Sequence, residues 1–294
     1  MIVRLAVISC VLLLALIVTA RASGMLLADG GQVAFQSSRD GDADIWLLDV
    51  ARGLLHNLTV DNPDFDGSPA WSPDGKALAF DSVRRRDGQR QVYVMDHVGR
   101  AVRLLVDLPG SQPSWSPDGT QIAFYSSATL LADVQTGAVR PLPPNALPEW
   151  TQTGLRVLLA NSRAAPLAQA DAYSDYERLE NMSFFNTATW AADRQRVAMA
   201  WEQGGDMGLF TLDVSCMPQC DGAMQRIPNS NGGVQPSWSP DGSWLVYLCP
   251  QVRGARASGE AEICIIQPDG SGRRVLTQSL VNAFNTAPAW RPYP

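Results

Sequence analysis

Histidine is nearly missing from this chain: His56 and His97 are the two it has in 294 residues. With so few imidazoles a histidine-rich metal centre is excluded, and a Ser-His-Asp triad would have to use one of these two. His56 falls in an outer-strand pattern and His97 in the turn DHVGR, where an ordinary exposed or half-buried side chain is expected. Basic residues are also in the minority, with 23 Lys and Arg against 29 Asp and Glu and a formal net charge of −6. An acidic body neutralises few phosphates, so nucleic acid is not an expected partner. No GxSxG elbow, HExxH, P-loop or strand-linked GxGxxG occurs. The expectation is no cofactor, no metal and no catalytic residue. Asp40, Asp42 and Asp44 alternate in RDGDAD as hard-cation ligands can, but the glycine and glutamate that complete an EF-hand do not follow. A solvated turn is the reading there.

Long apolar runs are confined to the amino terminus. Arg4 precedes an apolar stretch from Leu5 to Ala20, and Ala20-Arg21-Ala22 has the form of a signal-peptidase site. Residues 1–22 read as a signal peptide or, uncleaved, a membrane anchor; either exports the remainder, which touches a membrane through that segment alone. Four cysteines lie beyond the leader: Cys216, Cys220, Cys249 and Cys264. They allow three pairings. The reading favours Cys216–Cys220 as a loop staple. It favours Cys249–Cys264 because, aligned on Ser82 and Tyr93 of an earlier repeat, these two end and begin adjacent strands.

What the chain does have is a phrase that returns. It reads PAWSPDGKALAF at 69–80, PSWSPDGTQIAF at 113–124 and PSWSPDGSWLVY at 236–247. Weaker copies are PEWTQTGLRVLL at 148–159 and ATWAADRQRVAM at 188–199, with a truncated PAWRP from Pro288. Trp71, Trp115, Trp150, Trp190, Trp238 and Trp290 hold one position, at spacings of 44, 35, 40, 48 and 52 residues. A period of about 40–45 residues suits a four-stranded propeller blade. Within the phrase, Pro presets φ and Gly supplies a positive φ for a tight turn, and the alternation after it (Leu78, Phe80; Ile122, Phe124; Leu245, Tyr247) is that of a strand. A further strand follows in most units, as in DIWLLD at 44–49 and QVYVMD at 91–96. GQVAFQSS from Gly31 lacks a Trp strand before it, and Trp290 has no strands after it. Joined, the two ends complete a sixth blade and remove the open edges.

The PxWSPDGxxIAF phrase with its IYVMD-like partner strand resembles the repeats of the TolB-type propeller family. The resemblance covers nearly all of residues 25–294 and implies an all-β, six-bladed propeller of four-stranded antiparallel blades, closed by the carboxyl-terminal strand. It also implies export and the binding of other proteins. The α/β domain that precedes the propeller in the family's namesake has no counterpart here, nor does the hydrolase domain that follows similar blades in prolyl oligopeptidase-like peptidases.

In such a ring the segments entering each Trp strand converge on one channel mouth. Here they carry Asp66, Ser68, Ser111, Gln112, Asn145, Glu149, Asn186, Gln235 and Asn285. Amides and hydroxyls both donate and accept, so this mouth is the expected docking site for an envelope or extracellular protein, a peptide or a glycan. The competing reading is a carbohydrate-active hydrolase or lyase using channel carboxylates such as Asp66 and Glu149. The segment 161–183 is an irregular excursion or a decayed blade edge.

Overall fold

The computed structural model describes residues 31–85, 87–142, 146–151, 154–159, 188–193, 195–213, 224–250, 261–277 and 283–292. Among them there are strands and no helix. In chain order they are β1 (Gln32–Ser37), β2 (Asp44–Asp49), β3 (Leu54–Asn57), β4 (Asp66–Trp71), β5 (Ala77–Ser82), β6 (Gln91–Asp96) and β7 (Arg103–Pro109). Next come β8 (Ser111–Trp115), β9 (Gln121–Tyr125), β10 (Thr129–Asp133), β11 (Val139–Pro141), β12 (Ala146–Thr151) and β13 (Gly154–Leu159). The last are β14 (Ala188–Trp190), β15 (Arg196–Gln203), β16 (Asp206–Asp213), β17 (Met224–Arg226), β18 (Val234–Trp238), β19 (Leu245–Pro250), β20 (Ala261–Ile266), β21 (Arg274–Val275) and β22 (Asn285–Trp290).

These strands make five four-stranded sheets and one two-stranded sheet, β12-β13, all antiparallel. Four of the larger sheets run in simple sequence order: β4-β5-β6-β7, β8-β9-β10-β11, β14-β15-β16-β17 and β18-β19-β20-β21. The fifth is β22-β1-β2-β3, so the carboxyl-terminal strand pairs with the first one, Val33 opposite Trp290 and Ser37 opposite Asn285.

The core lies between sheets. Phe80 and Leu78 of β5 face back onto Ala34, Ile45 and Leu47 of the preceding sheet. Ala79, between them, faces forward onto Ile122 and Phe124 of the next. Along β5, large side chains thus point to one neighbouring sheet and a small one to the other, which lets these sheets stack closely. Val33 and Phe35 pack on Val246, Leu248, Ile263 and Ile265, and Tyr247 and Leu245 pack on Ala198, Ala200 and Leu209.

The repeated tryptophans tie neighbouring sheets together. Trp71 Nε1 donates to the carbonyl of Ala289 at 3.2 Å, Trp115 to Ala70 at 3.0 Å and Trp238 to Thr189 at 3.0 Å. The seam differs, because buried Trp290 Nε1 has no acceptor among the described residues. At the opposite seam, Arg291 lies over the Trp71 ring at 5.3 Å, donates from Nε to Gly75 O at 2.7 Å and bonds to the Gln32 amide. Arg196 makes the same clamp elsewhere, over Trp238 at 4.9 Å and onto Gly242 O at 3.1 Å.

Each SPDG turn is closed by its own serine. Ser72 Oγ donates to Asp74 Oδ1 at 2.7 Å and accepts from Ala77 N at 2.9 Å, while Gly75 takes φ 66°. Ser116 with Asp118 and Ser239 with Asp241 repeat the arrangement. A disulfide joins Cys249 at the end of β19 to Cys264 on β20. Cys216, Cys220 and the 161–183 excursion lie outside the described residues.

Candidate functional site

The end of the sheets opposite the SPDG turns is built from the first residues of the inner strands, the last residues of the second strands and the loops that follow. Its backbone is unusual. Ser68, Gln112, Gln235 and Ala287 each precede the proline of a Trp strand, and each has a positive φ: 50°, 54°, 52° and 50°. The cause is a bulge repeated in four sheets. Ser68-Pro69 together face the single residue Phe80, Gln112-Pro113 face Phe124, Gln235-Pro236 face Tyr247, and Ala287-Pro288 face Phe35. A bulge leaves one residue out of the ladder, which suits proline because it has no N–H to offer. The pair β12-β13 runs in register through Pro148 without one.

The residues nominated by sequence divide into two groups. Gln112 is exposed, and Ser68, Ser111 and Gln235 are half-buried; their strand positions bring them to this one end. Asp66 and Asn285 are also there but buried, Asp66 completely. Glu149 lies in β12, and its side chain is outside the described residues, as are Asn145 and Asn186. His56 is exposed on β3, and His97 is half-buried in a turn at the SPDG end. Asp40, Asp42 and Asp44 do cluster, their carboxylates within 4.8 Å of one another, but the Asn57 amide already donates to Asp40 and Asp44 at 2.7 Å each.

Several of these polar groups cross from sheet to sheet. Gln112 N donates to Asp81 Oδ2 at 3.0 Å, and Gln235 Oε1 accepts from Ala287 N at 2.8 Å. Asp66 N donates to Ala43 O at 2.6 Å, fastening the β1–β2 loop against β4. Burial pushes the Asp66 carboxyl above its ordinary range, opposed by Ser82, Arg84 and Asn62. Burial likewise raises Asp81, opposed by the Gln112 N–H and Arg90, and raises Asp44, opposed by Asn57 and Thr59. Removing a carboxylate from water disfavours its charged form.

Two arginines were passed over in the sequence reading. Arg39 Nε donates to Ser37 Oγ at 3.0 Å and its Nη2 to Asn285 Oδ1 at 3.0 Å. Arg84 repeats this one sheet on, with Nε to Ser82 Oγ at 3.0 Å and Nη2 to both Asp66 oxygens at 3.4 Å. Each guanidinium lies over two rings: Arg39 over Phe35 and Trp46, Arg84 over Phe80 and Tyr93. The signal was present, since FQSSR at 35–39 and FDSVR at 80–84 share one spacing.

Comparison with known proteins agrees with this architecture. Residues 21–140 match the model of the TolB β-propeller domain. Over 80 residues, 26% of the chain, it is 38% identical to a TolB homolog of Chlorobium luteolum. Over 199 residues, 67% of the chain, it is 25% identical to an uncharacterized peptidase, YuxL, of Bacillus subtilis. The matched parts make up only 18% and 24% of those relatives' own lengths. TolB from Acinetobacter baumannii superposes with a TM-score of 0.64 at 19% identity, over 89% of this chain and 67% of that one, a likeness of fold.

Proposed function

We propose, from the premise that this chain carries a TolB-type β-propeller, that it is an exported, non-catalytic binding module. In this reading its sheets are the blades of a six-bladed ring spanning residues 25–294. The first 22 residues direct or anchor it outside the cytoplasm. Its ligand, a protein, peptide or glycan of the envelope or exterior, docks at the end where the inner strands begin. The observation that carries the reading is the row of left-handed residues at Ser68, Gln112 and Gln235. Backbone held at a sparsely populated φ costs about 1–3 kcal/mol and tends to persist where it serves a site. In this reading the bulges present Ser68, Gln112 and Gln235 to the ligand from three sheets.

Asp66 has the part of a support, since its carboxylate is buried beneath Arg84 and Asn62 and offers nothing to solvent. A carboxylate spent in this way also weighs against the hydrolase or lyase reading, which needs Asp66 to face substrate.

The test is capture from the organism's own envelope fraction, comparing the exported protein with a Ser68→Ala, Gln112→Ala, Gln235→Ala variant. These substitutions keep the backbone problem and remove the polar groups. The captured partner should be lost from the variant while thermal melting stays within a few degrees of wild type. Equal capture by both proteins would move the site elsewhere.

A further inference from the structure

Among the described residues, the arrangement at Arg39 and Arg84 occurs in two neighbouring sheets. Counted from the end of the phrase, the repeats at 113–124, 188–199 and 236–247 carry Ala128, Gln203 and Gln251 at the position of these arginines, and the repeat at 148–159 carries Arg163, outside the described residues. The acceptor changes in step. Arg39 reaches Asn285 and Arg84 reaches Asp66, each the first residue of its inner strand, whereas Gly110 and Gly233 occupy that place beside Ala128 and Gln251. A buried acid that needs neutralising would account for Arg84. At Arg39 the acceptor in that position is a neutral amide, and the acids that act on the arginine are the buried Glu262 and Asp40, which is exposed.

Both side chains are held before any ligand arrives. Two aromatic faces and a serine fix each guanidinium, which lowers the entropy lost on binding. Each arginine spends Nε and Nη2 on these contacts, and among the described residues nothing accepts from its Nη1. Asp40 and Glu262 also act on Arg39, and Glu262 is itself engaged by Thr277 Oγ1 at 2.6 Å. Arg85, next to Arg84, is paired with Asp107 and Asp87, and Arg90 stands 3.8 Å from Asp81. The bond from Asp66 N to Ala43 O ties the Arg39 loop to the strand that Arg84 contacts. Beside Arg39 is a large apolar group open to water: Phe284 is 53% exposed, its N–H donating to Ser38 Oγ at 3.0 Å and its carbonyl accepting from Ser38 N at 3.0 Å.

We propose that Arg39 and Arg84 are the anion-recognising pair of this mouth, and that they take an acidic peptide segment. Its carboxylates sit on the two guanidiniums and an apolar neighbour packs on Phe284. The proposal rests on the mouth being the docking site and names the class of partner it admits. A planar guanidinium matches a carboxylate, and an exposed phenyl ring beside Arg39 favours a peptide, with its mixed side chains, over a uniformly polar acidic glycan.

The experiment uses the exported protein and a phage-displayed random dodecapeptide library, run in parallel on an Arg39→Gln/Arg84→Gln variant. Peptides enriched on wild type should carry Asp or Glu next to an apolar residue, and a labelled synthetic copy should bind at least about tenfold more weakly to the variant. Replacing its acids by amides should weaken binding to wild type by a similar factor. Because losing Arg84 leaves Asp66 buried beside no cation, Arg39→Gln alone is measured too, and it should retain the wild-type melting temperature while losing several-fold in affinity. Enriched peptides without acids, no enrichment at all, or equal affinity for the double variant would overturn the proposal. So would saturable binding of oligogalacturonate with none of any peptide. An acidic peptide that the Ser68/Gln112/Gln235 variant loses but the arginine variant keeps would sink the arginine pair and leave the mouth standing. A peptide lost by neither would sink both.

Discussion

The two ends of the sheets solve opposite problems. At the SPDG end, Asp74 and Asp118 sit in water and each serves its own turn: the serine hydroxyl two residues before it and the backbone N–H after it hold its carboxyl below the ordinary range. At the mouth, Asp44, Asp66 and Asp81 are shut away from water and their carboxyls are raised by burial. One end repeats nearly the same local contacts in three sheets. The other draws its contacts from neighbouring sheets and differs from blade to blade. Local, self-sufficient turns build the scaffold, while the end that depends on distant partners is the one that varies.

The most severe way to break this comparison is to remove residues 287–294, which serve both ends. That deletion takes away most of β22, the Trp290 ring and the Arg291 clamp onto Gly75. Truncating a buried Trp alone costs about 3–5 kcal/mol, so the loss should exceed that and appear as a much lower melting temperature in calorimetry. An unchanged melt would mean that β22 does not close the first sheet.

A finer separation comes from pH. A lowered carboxyl such as Asp74 contributes stability that is present above its unfolded pKa near 3.8 and is lost as pH falls through the still lower folded value. A raised one such as Asp81 has the opposite sign: the folded state binds the proton more tightly, so its contribution is fully present below 3.8 and is lost as pH rises through the raised folded value. Denaturant midpoints measured from pH 7 downward should therefore rise in mild acid before they collapse. Asp81→Asn should flatten the rise, and Asp74→Asn should weaken the collapse. A curve that Asp81→Asn leaves unaltered would contradict the burial assigned to it.

The smallest effect sharpens the contrast most directly. Gln112→Gly places the residue that tolerates φ 54° at an exposed position where little packing is lost. Stability should rise by about 0.5–1 kcal/mol while affinity for the mouth ligand falls. A destabilised Gln112→Gly protein would show that the glutamine side chain, rather than the bulge, holds this strand entry in place.

The scaffold end was open to sequence reading because its causes are local. Ser72, Asp74 and Gly75 complete their turn within a few residues, and the Leu78–Phe80 alternation announces a strand whatever surrounds it. The mouth was readable only as a list of polar residues. That Asp66 and Asn285 are buried while Gln112 is exposed depends on which neighbour covers each, and no local pattern encodes that. FQSSR and FDSVR were visible as a spacing, yet the acceptors of their arginines follow no short-range rule.

By itself, then, the sequence determined the repeat, the strands, the turns and the pairing of the chain's two ends, since hydrophobic period and turn chemistry act over a handful of residues. The tertiary structure alone decided the contacts at the opposite end. It brought Asn285 to Arg39 across 246 residues, set the Trp71 indole on the Ala289 carbonyl across 218, and bent four inner strands at their X-Pro bulges, each against one aromatic of the adjacent strand. Those contacts exist only once the sheets have packed, because each needs a partner that the chain supplies from another strand or another blade.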